Sequence, residues 1–220
     1  MTTFHQVELT CAICGSKSEQ MTISSTNSMG SRDLDLRPPE MQRSTMECWV
    51  QECPTCGYAY SSIEEKADNS AATMSSPAYE EVLSGQLHGS LMGSFLKSSL
   101  MAEGAADIRA AADYALNAAW AADDLSDTMN ANFNRYRAVS LFEKLLKVTD
   151  YNAEETTVTR TIMVDILRRS GQWDEAINLA NILLSQKLDP TIELVLKFEI
   201  SQASQNDTQC YTIAEALEAP

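Results

Sequence analysis

Four cysteines form two units of the same type, CxxCG, at residues 11–15 and 53–57. Two intervening residues make a tight turn that directs both sulfurs of a pair at one ion. The glycine permits a left-handed backbone, which lets amide N–H groups turn toward the sulfurs. The sequence therefore predicts one structural zinc ion held by the four thiolates of Cys11, Cys14, Cys53 and Cys56.

Two other uses of these cysteines are less favoured. A redox dithiol of the thioredoxin type requires a βαβ context, and neither pair has one. A zinc ion closed in by four sulfurs has no open position for a substrate, so zinc catalysis is not expected. The loop between the pairs, residues 15–52, exceeds the usual spacing of about 15–20 residues, but a long loop costs little entropy.

Three further residues could belong to the site. If residues 46–52 form a strand, Cys48 lies on the face opposite Cys53 and is a half-buried thiol, with a spare ligand as the alternative. Cys210 is predicted to be a free thiol. His5 could replace a cysteine, but with four sulfurs present we expect it to lie on the surface.

Composition restricts the partners. The chain of 220 residues has 31 acidic and 16 basic side chains and a net charge of −15. Duplex DNA and anionic membranes attract basic surfaces, so both are poor default partners. No apolar window of about 18 residues occurs, and no secretory signal is visible at the N-terminus, so a reducing, cytoplasmic location is expected.

The chain is predicted to be mainly α, with antiparallel helix pairs behind a small N-terminal β module of the zinc-ribbon type. Alternating residues at 7–10 and 21–24 predict a hairpin around the first cysteine pair, and Tyr58 and Tyr60 are expected to pack. The predicted segments are a zinc-ribbon-like module at 1–66, a linker with a helical segment at 67–103, a helical domain at 104–207 and a tail at 208–220.

Residues 77–102 allow two interpretations. Gly85, Gly89 and Gly93 recur every four residues. On one helix they would permit close backbone approach, whereas the cost of about 1 kcal/mol for each glycine favours a broken helical pair. His88, in the same stretch, has no visible partner and is expected to be structural or exposed.

From residue 105 onward the apolar period is helical. We predict helices over 106–122, 132–148, 155–169, 173–186 and from Pro190 onward. The buried face of the second of these is predicted to carry Phe133, Tyr136, Val139, Phe142, Leu145 and Leu146. Because the connections are short, neighbouring helices should be antiparallel.

An internal repeat is visible, since residues 137–141 align with residues 175–179. Residues 171–177 resemble the middle of a tetratricopeptide repeat, with Gly171 at the turn, Trp173 two residues later and Ala176 where the helices touch. The first copy departs from the pattern, because its turn at 124–128 lacks the glycine and the period exceeds about 34 residues.

The whole chain also resembles an uncharacterised bacterial family that joins a CxxC…CPxCGY zinc knuckle to tetratricopeptide-like helices. The matching residues are the first cysteine pair with Gly15, residues 52–58 and residues 118–120. The resemblance implies architecture and a bacterial cytoplasmic protein. It does not imply an activity.

These patterns favour a protein-interaction or adaptor protein, because stacked helix pairs form a groove for a peptide or a helix. An acidic surface favours a basic partner, and the oligomeric state cannot be read. The candidate groove residues are Asn117, Trp120, Asp124, Arg160 and Asp165, although Trp120 has burial in the core as its stronger alternative.

Two other functions are weaker. A zinc-ribbon regulator that binds nucleic acid is the alternative, but the predicted module at 1–66 holds five basic against nine acidic residues. An enzyme is not expected, because the chain has two histidines and no GxSxG, P-loop, GxGxxG or HExxH motif. Loss of any of the four cysteines should unfold the module, whereas the helical domain at 104–207 should survive, because its core is expected to be separate.

Overall fold

The structure, a computed structural model, describes residues 2–87, 89–148 and 153–219. His88 lies outside the described residues. Most of the described chain is helical, with a small antiparallel β part near the N-terminus, as the sequence predicts. The chain forms two compact units, and each unit consists of two separate stretches of the sequence. Unit 1 comprises residues 1–28 and 40–141, and unit 2 comprises residues 29–39 and 142–220.

Two antiparallel strand pairs lie in unit 1. Strands β1 (Thr3–Thr10) and β2 (Lys17–Ser25) form the predicted hairpin, and the tight turn between them carries the first cysteine pair. Strands β3 (Gln51–Glu52) and β4 (Ala59–Tyr60) flank the second pair. The prediction of a strand over 46–52 is wrong in its first half, because a 3-10 helix covers Arg43–Cys48.

The helical part of unit 1 begins with α1 (Ser70–Met74), α2 (Pro77–Ser84) and α3 (Leu91–Gly104). Helix α4 (Ile108–Asp124) follows, and α5 (Thr128–Val148) contains the division between the units. Helix α3 packs against α1, α2, α4 and β4.

The interpretation of residues 77–102 as a broken helical pair is correct. Ser76 caps α2 and Ser90 caps α3, each by accepting a backbone N–H in the first turn. Gly89, between the helices, has φ of +73°. A Cβ on Gly93 would lie 2.1 Å from the carbonyl oxygen of Leu87, so the first turn of α3 has no room for a side chain at this position.

Four helices end in one way. Ala106, Ser126, Gly171 and Asn206 take the left-handed conformation just after α3, α4, α6 and α8. In each case the N–H of the next residue donates to the carbonyl five residues earlier, as from Asp127 to Ala122. This is the Schellman arrangement, which satisfies carbonyls left open at a helix end. Ser126 thus takes after α4 the conformation that Gly171 takes after α6.

The core of unit 1 includes both the cysteine module and the helices. Its buried members join Cys11 and Cys53 to Tyr79 of α2 and Met101 of α3. The module therefore shares its core with α2 and α3, in the segment predicted as a linker with a helical segment. Tyr58 is fully buried and lies 6.4 Å from Tyr60, measured between ring centroids, so the packing role predicted for these tyrosines is confirmed.

The N-terminal half of helix α5 buries a different face from the one predicted, whereas Phe142 and Leu145 are buried as predicted and Val139 and Leu146 are half-buried. Phe133 and Tyr136 are exposed, whereas Asn134 and Arg135 are buried. The guanidinium of Arg135 donates to the Asp123 carboxylate of α4 over 2.5 Å, and this ion pair allows an arginine to occupy the buried face.

Unit 2 consists of α6 (Ala153–Arg169), α7 (Trp173–Leu184), α8 (Pro190–Ser204), α9 (Ile213–Glu218) and the segment 29–39. Helix α7 packs against α6 and α8, and α9 packs against α8. The segment 29–39 is irregular, and its residues 33–35 and 37–39 are buried. The N–H of Leu34 donates to the Tyr211 carbonyl, and its side chain packs on Val195. The residues predicted as a C-terminal tail include α9, which begins with a capping box at Thr212.

Candidate metal centre

Both cysteine pairs sit in the same kind of backbone turn. The N–H of Gly15 donates to the Cys11 carbonyl over 2.9 Å, and the N–H of Gly57 donates to the Cys53 carbonyl over 2.8 Å. Both glycines are left-handed, with φ of +73° and +72°. The conformation predicted for the CxxCG units is therefore confirmed.

The four sulfurs meet at one point. All of them lie within 4.8 Å of one another. Cys11 Sγ is 3.7 Å from Cys56 Sγ, and Cys14 Sγ is 3.6 Å from Cys53 Sγ. A disulfide would need about 2.05 Å. Zinc–sulfur bonds of about 2.3 Å in a tetrahedron place neighbouring sulfurs about 3.8 Å apart, so the observed spacing fits one metal ion shared by both pairs.

The pKa values of the thiols in the cluster differ with the exposure of each sulfur. Burial raises the pKa of the Cys11 and Cys56 thiols, although backbone N–H groups directed at each sulfur oppose this effect. Cys14 is exposed, and its pKa is lowered to about 6 by hydrogen bonds from the hydroxyl and the backbone N–H of Ser16. The backbone N–H groups directed at the sulfurs, among them that of Tyr58 at Cys56, would stabilise the negative charge of a four-thiolate centre.

Two contacts tie the second cysteine turn to the helices of unit 1. The hydroxyl of Tyr79 donates to the Gly57 carbonyl over 2.9 Å and accepts the N–H of Ala59. Glu52, immediately before Cys53, forms an ion pair with the fully buried Lys97 of α3. The centre is thus fixed to α2 and α3 as well as to its own strands.

Sequence reasoning missed Glu52, Tyr79 and Lys97 as supports of the centre. A signal was present for one of them, because Lys97 is the single Lys or Arg between Lys66 and Arg109 and stands among apolar residues. A lone cation in such a setting needs a buried counter-charge.

The other sulfur and imidazole candidates lie away from the cluster. His5 is exposed on β1, and its Nδ1 is 2.7 Å from the Ser24 hydroxyl, so the surface position expected for it is confirmed. Cys48 is half-buried on the 3-10 helix and Cys210 is an exposed free thiol. Neither belongs to the group of four.

The residues predicted to bind a partner are divided between the units, three in unit 1 and two in unit 2. Trp120 is 6% exposed and lies in the core of unit 1, where Asn117 is half-buried and Asp124 exposed. Arg160 is half-buried in unit 2, and Asp165, 1% exposed, is buried there. Neither Trp120 nor Asp165 can contribute an exposed groove side chain, because each is occupied in the interior of its unit.

Asp165 belongs to a buried ionic cluster that the sequence did not reveal. Arg168 of α6 donates to Asp165 over 2.7 Å and to Glu199 of α8 over 2.5 Å, and Arg169 donates to Asp35 over 2.8 Å. Three carboxyls therefore face two guanidinium groups. Burial, and after it the negative charge of Asp165, raises the pKa of Glu199 to about 8.

Arg168 also fixes the chain that follows α8. Its Nη1 donates to the carbonyls of Asp207 and Gln209, and its guanidinium lies 5.4 Å from the centre of the Tyr211 ring. A single buried side chain thus joins two helices and the segment leading to α9. We assign it a role in the stability of unit 2.

Comparison with known proteins gives no match: no protein-family model, no curated protein and no solved structure is similar to this chain. The four cysteines cluster as in a zinc knuckle, whereas membership of a bacterial zinc-knuckle family and the tetratricopeptide-like repeat stay predictions. None of the helices in the described part of the chain has the length and apolar character needed to cross a bilayer.

Proposed function

We propose that this protein is a zinc-binding protein-interaction protein, in which a structural zinc ion holds the module of unit 1 together. The observation that carries the proposal is the convergence of four cysteine sulfurs from two distant turns within 4.8 Å. Thiolates are soft ligands, and a four-sulfur tetrahedron is typical of structural zinc, with iron as the other common occupant.

The role of zinc in this proposal is structural. All four positions of a tetrahedral ion would be taken by protein sulfurs, so no substrate could bind the metal. The two turns belong to separate strand pairs, and β3 and β4 have only two residues each. An ion that joins them would supply the cross-link that the short strands do not, and structural zinc contributes on the order of 10 kcal/mol in comparable peptides.

The interaction role is supported by the absence of catalytic motifs and by the acidic composition. With a net charge of −15, the surface favours a basic protein partner over nucleic acid or an anionic membrane. A reducing, cytoplasmic location is part of the proposal, because thiolate ligands persist in such a compartment.

Metal analysis of the purified protein tests the zinc proposal. We expect one zinc per chain, and replacement by Co²⁺ should give the absorption of a tetrahedral tetrathiolate site. The variants Cys14→Ser and Cys53→Ser should lose the metal. The matched controls are Cys48→Ser and Cys210→Ser, which remove a thiol outside the cluster and should retain one zinc.

Three results would contradict the proposal. A protein that binds no metal after preparation under reducing conditions would contradict it, as would stoichiometric iron in place of zinc. Full zinc retention in Cys14→Ser would show that the four sulfurs do not act as one ligand set.

A further inference from the structure

Unit 1 contains an open groove that neither the metal centre nor the core uses. It encloses about 360 Å³ between α2, the loop after it, α3 and α5. Its floor is apolar and includes Val82 of α2 together with Leu96 and Leu100 of α3. Phe133 of α5 forms one wall, and a space of this size admits one or two large apolar side chains.

The wall formed by α5 continues as an apolar stripe on the surface. Met129 is 79% exposed and Phe133 is 57% exposed, and Tyr136, one turn further on, is also exposed. Residues spaced by four and three positions lie on the same helix face. Single exposed apolar residues are ordinary, but a row of three beside an apolar groove is typical of a binding surface.

The charged residues that line the groove are Glu81 and Arg137. Arg137, which lines it, is already paired with Glu103 over 2.7 Å. Glu81 on the opposite wall is exposed and makes no ion pair within the described part of the chain. From residue 67 to residue 96 the sequence contains three acidic residues and no Lys or Arg.

This charge decides between two possible occupants. A second copy of the chain would bring another net charge of −15 against the same acidic wall, which like-charge repulsion disfavours. A basic partner would gain from Glu81 and from the acidic surroundings. Helical ligands supply apolar side chains at three- and four-residue spacing and can carry cations on their flanks.

We propose that this groove binds an amphipathic helix of another protein, which inserts apolar side chains between α2 and α5 and places a Lys or Arg beside Glu81. The inference rests on the interaction role proposed above and names the site and the partner class. Phe133 is the expected anchor, because exposed aromatic residues beside a pocket dominate such interfaces.

A synthetic helix of about 15 residues, with Leu at three- and four-residue spacing and Lys elsewhere, is a suitable probe for titration with the full-length protein. We expect saturable 1:1 binding that weakens at least about tenfold in Phe133→Asp. Glu81→Lys should also weaken it. The matched control is Ile182→Asp on α7, an equally exposed apolar residue of unit 2, which should leave the affinity unchanged.

A second peptide with Glu in place of each Lys tests the charge preference, and we expect it not to bind. Equal binding of both peptides, no binding of the Lys peptide, or binding unaffected by Phe133→Asp would each overturn the proposal. Self-association of the protein that Phe133→Asp abolishes would identify a second copy as the occupant and would also overturn it. Zinc is measured in the same samples, so a metal-loaded protein that fails these tests refutes the groove alone, whereas a metal-free protein refutes the proposed function.

Discussion

The glycines after the cysteine pairs are matched in conformation but not in surroundings. A Cβ on Gly15 would meet no atom within 4 Å, whereas a Cβ on Gly57 would lie 2.2 Å from Leu83 Cδ1 of α2. The first position therefore requires glycine for its backbone only. The second requires it for the backbone and for the approach of a helix.

Gly15→Ala should cost about 1 kcal/mol, the price of a left-handed alanine. Gly57→Ala should cost more, because Leu83 must also move. Chemical denaturation of the zinc-loaded variants measures the difference, with metal content as the control. Equal destabilisation of the two variants would contradict the close packing of the second turn against α2.

The buried carboxyl of Glu199 is a second residue with a specific consequence. Its pKa is raised from 4.5 to about 8, so above about pH 4.5 the unfolded chain releases a proton that the folded chain retains. The resulting stabilisation is complete below the unfolded pKa and is lost as the pH rises through the folded pKa. The pKa of Asp165 is also raised by burial, which acts in the same direction.

We therefore expect the free energy of unfolding of unit 2 to fall by up to about 1.4 kcal/mol per pH unit between about pH 5 and about pH 8. Glu199→Gln keeps the neutral shape and should abolish much of this slope while preserving stability near pH 5. Denaturation curves across this range, followed by hydrogen exchange of α8 amides, measure it. A slope that the variant leaves unchanged would refute the assignment.

At the scale of elements, the recurrent helix ending explains how short connections reverse the chain. Each of the four endings places one left-handed residue before the next segment, and only one of those residues is glycine. Asn206 tolerates the conformation, but Ala106 and Ser126 do so at a cost of about 1–2 kcal/mol.

Ala106→Gly and Ser126→Gly should each stabilise unit 1 by about 0.5–1 kcal/mol, because glycine relieves the backbone strain. Part of the gain is lost, because glycine also raises the conformational entropy of the unfolded chain. Gly171→Ala should destabilise unit 2 by about 1 kcal/mol. Equilibrium denaturation of each variant provides the measurement. Loss of stability in Ala106→Gly would show that its methyl group makes a contact worth more than the strain.

The helices show how far sequence periodicity reaches. It located α4 to α8 to within a few residues, because their apolar stripes extend over several turns. It failed for residues 46–48, where a 3-10 helix covers the first half of a run too short for its alternation to decide the structure. It also chose the wrong face for the N-terminal half of α5, where Arg135 is buried beside Asp123 and Phe133 is exposed, because the apolar period cannot show that a charged residue has an ion-pair partner.

The metal centre was predictable and its support was not. Two CxxCG units specify ligand type and turn geometry locally, so the spacing alone predicts the metal ligands, which are Cys11, Cys14, Cys53 and Cys56. The ion pair of Glu52 with Lys97 joins residues far apart in the chain, and no local pattern encodes it. The cluster around Arg168 was missed for the same reason, because charged residues are expected outside unless a distant partner is known.

At the scale of the whole molecule, the shared core of unit 1 changes the expected effect of losing the metal. We predict that Cys53→Ser or zinc removal reduces amide protection in the strands and also in α2 and α3, because Tyr79 and Met101 pack with Cys11 and Cys53. Protection in α7 and α8 should persist, since unit 2 has its own buried residues. Hydrogen-exchange mass spectrometry resolves these regions.

Cys48→Ser is the control for that experiment and should leave both regions protected. If the loss of protection ended near residue 66, the packing described for unit 1 would be wrong.

The order of the two units along the chain affects how the gene can be divided, in evolution and in engineering. Residues 29–39 belong to unit 2, although the residues on both sides of them belong to unit 1. A fragment starting at residue 142 would lack Asp35, and Arg169 would then be buried without that carboxylate. No single cut in the gene yields two intact parts, so we expect the two units to be transmitted together and to resist recombination as separate modules.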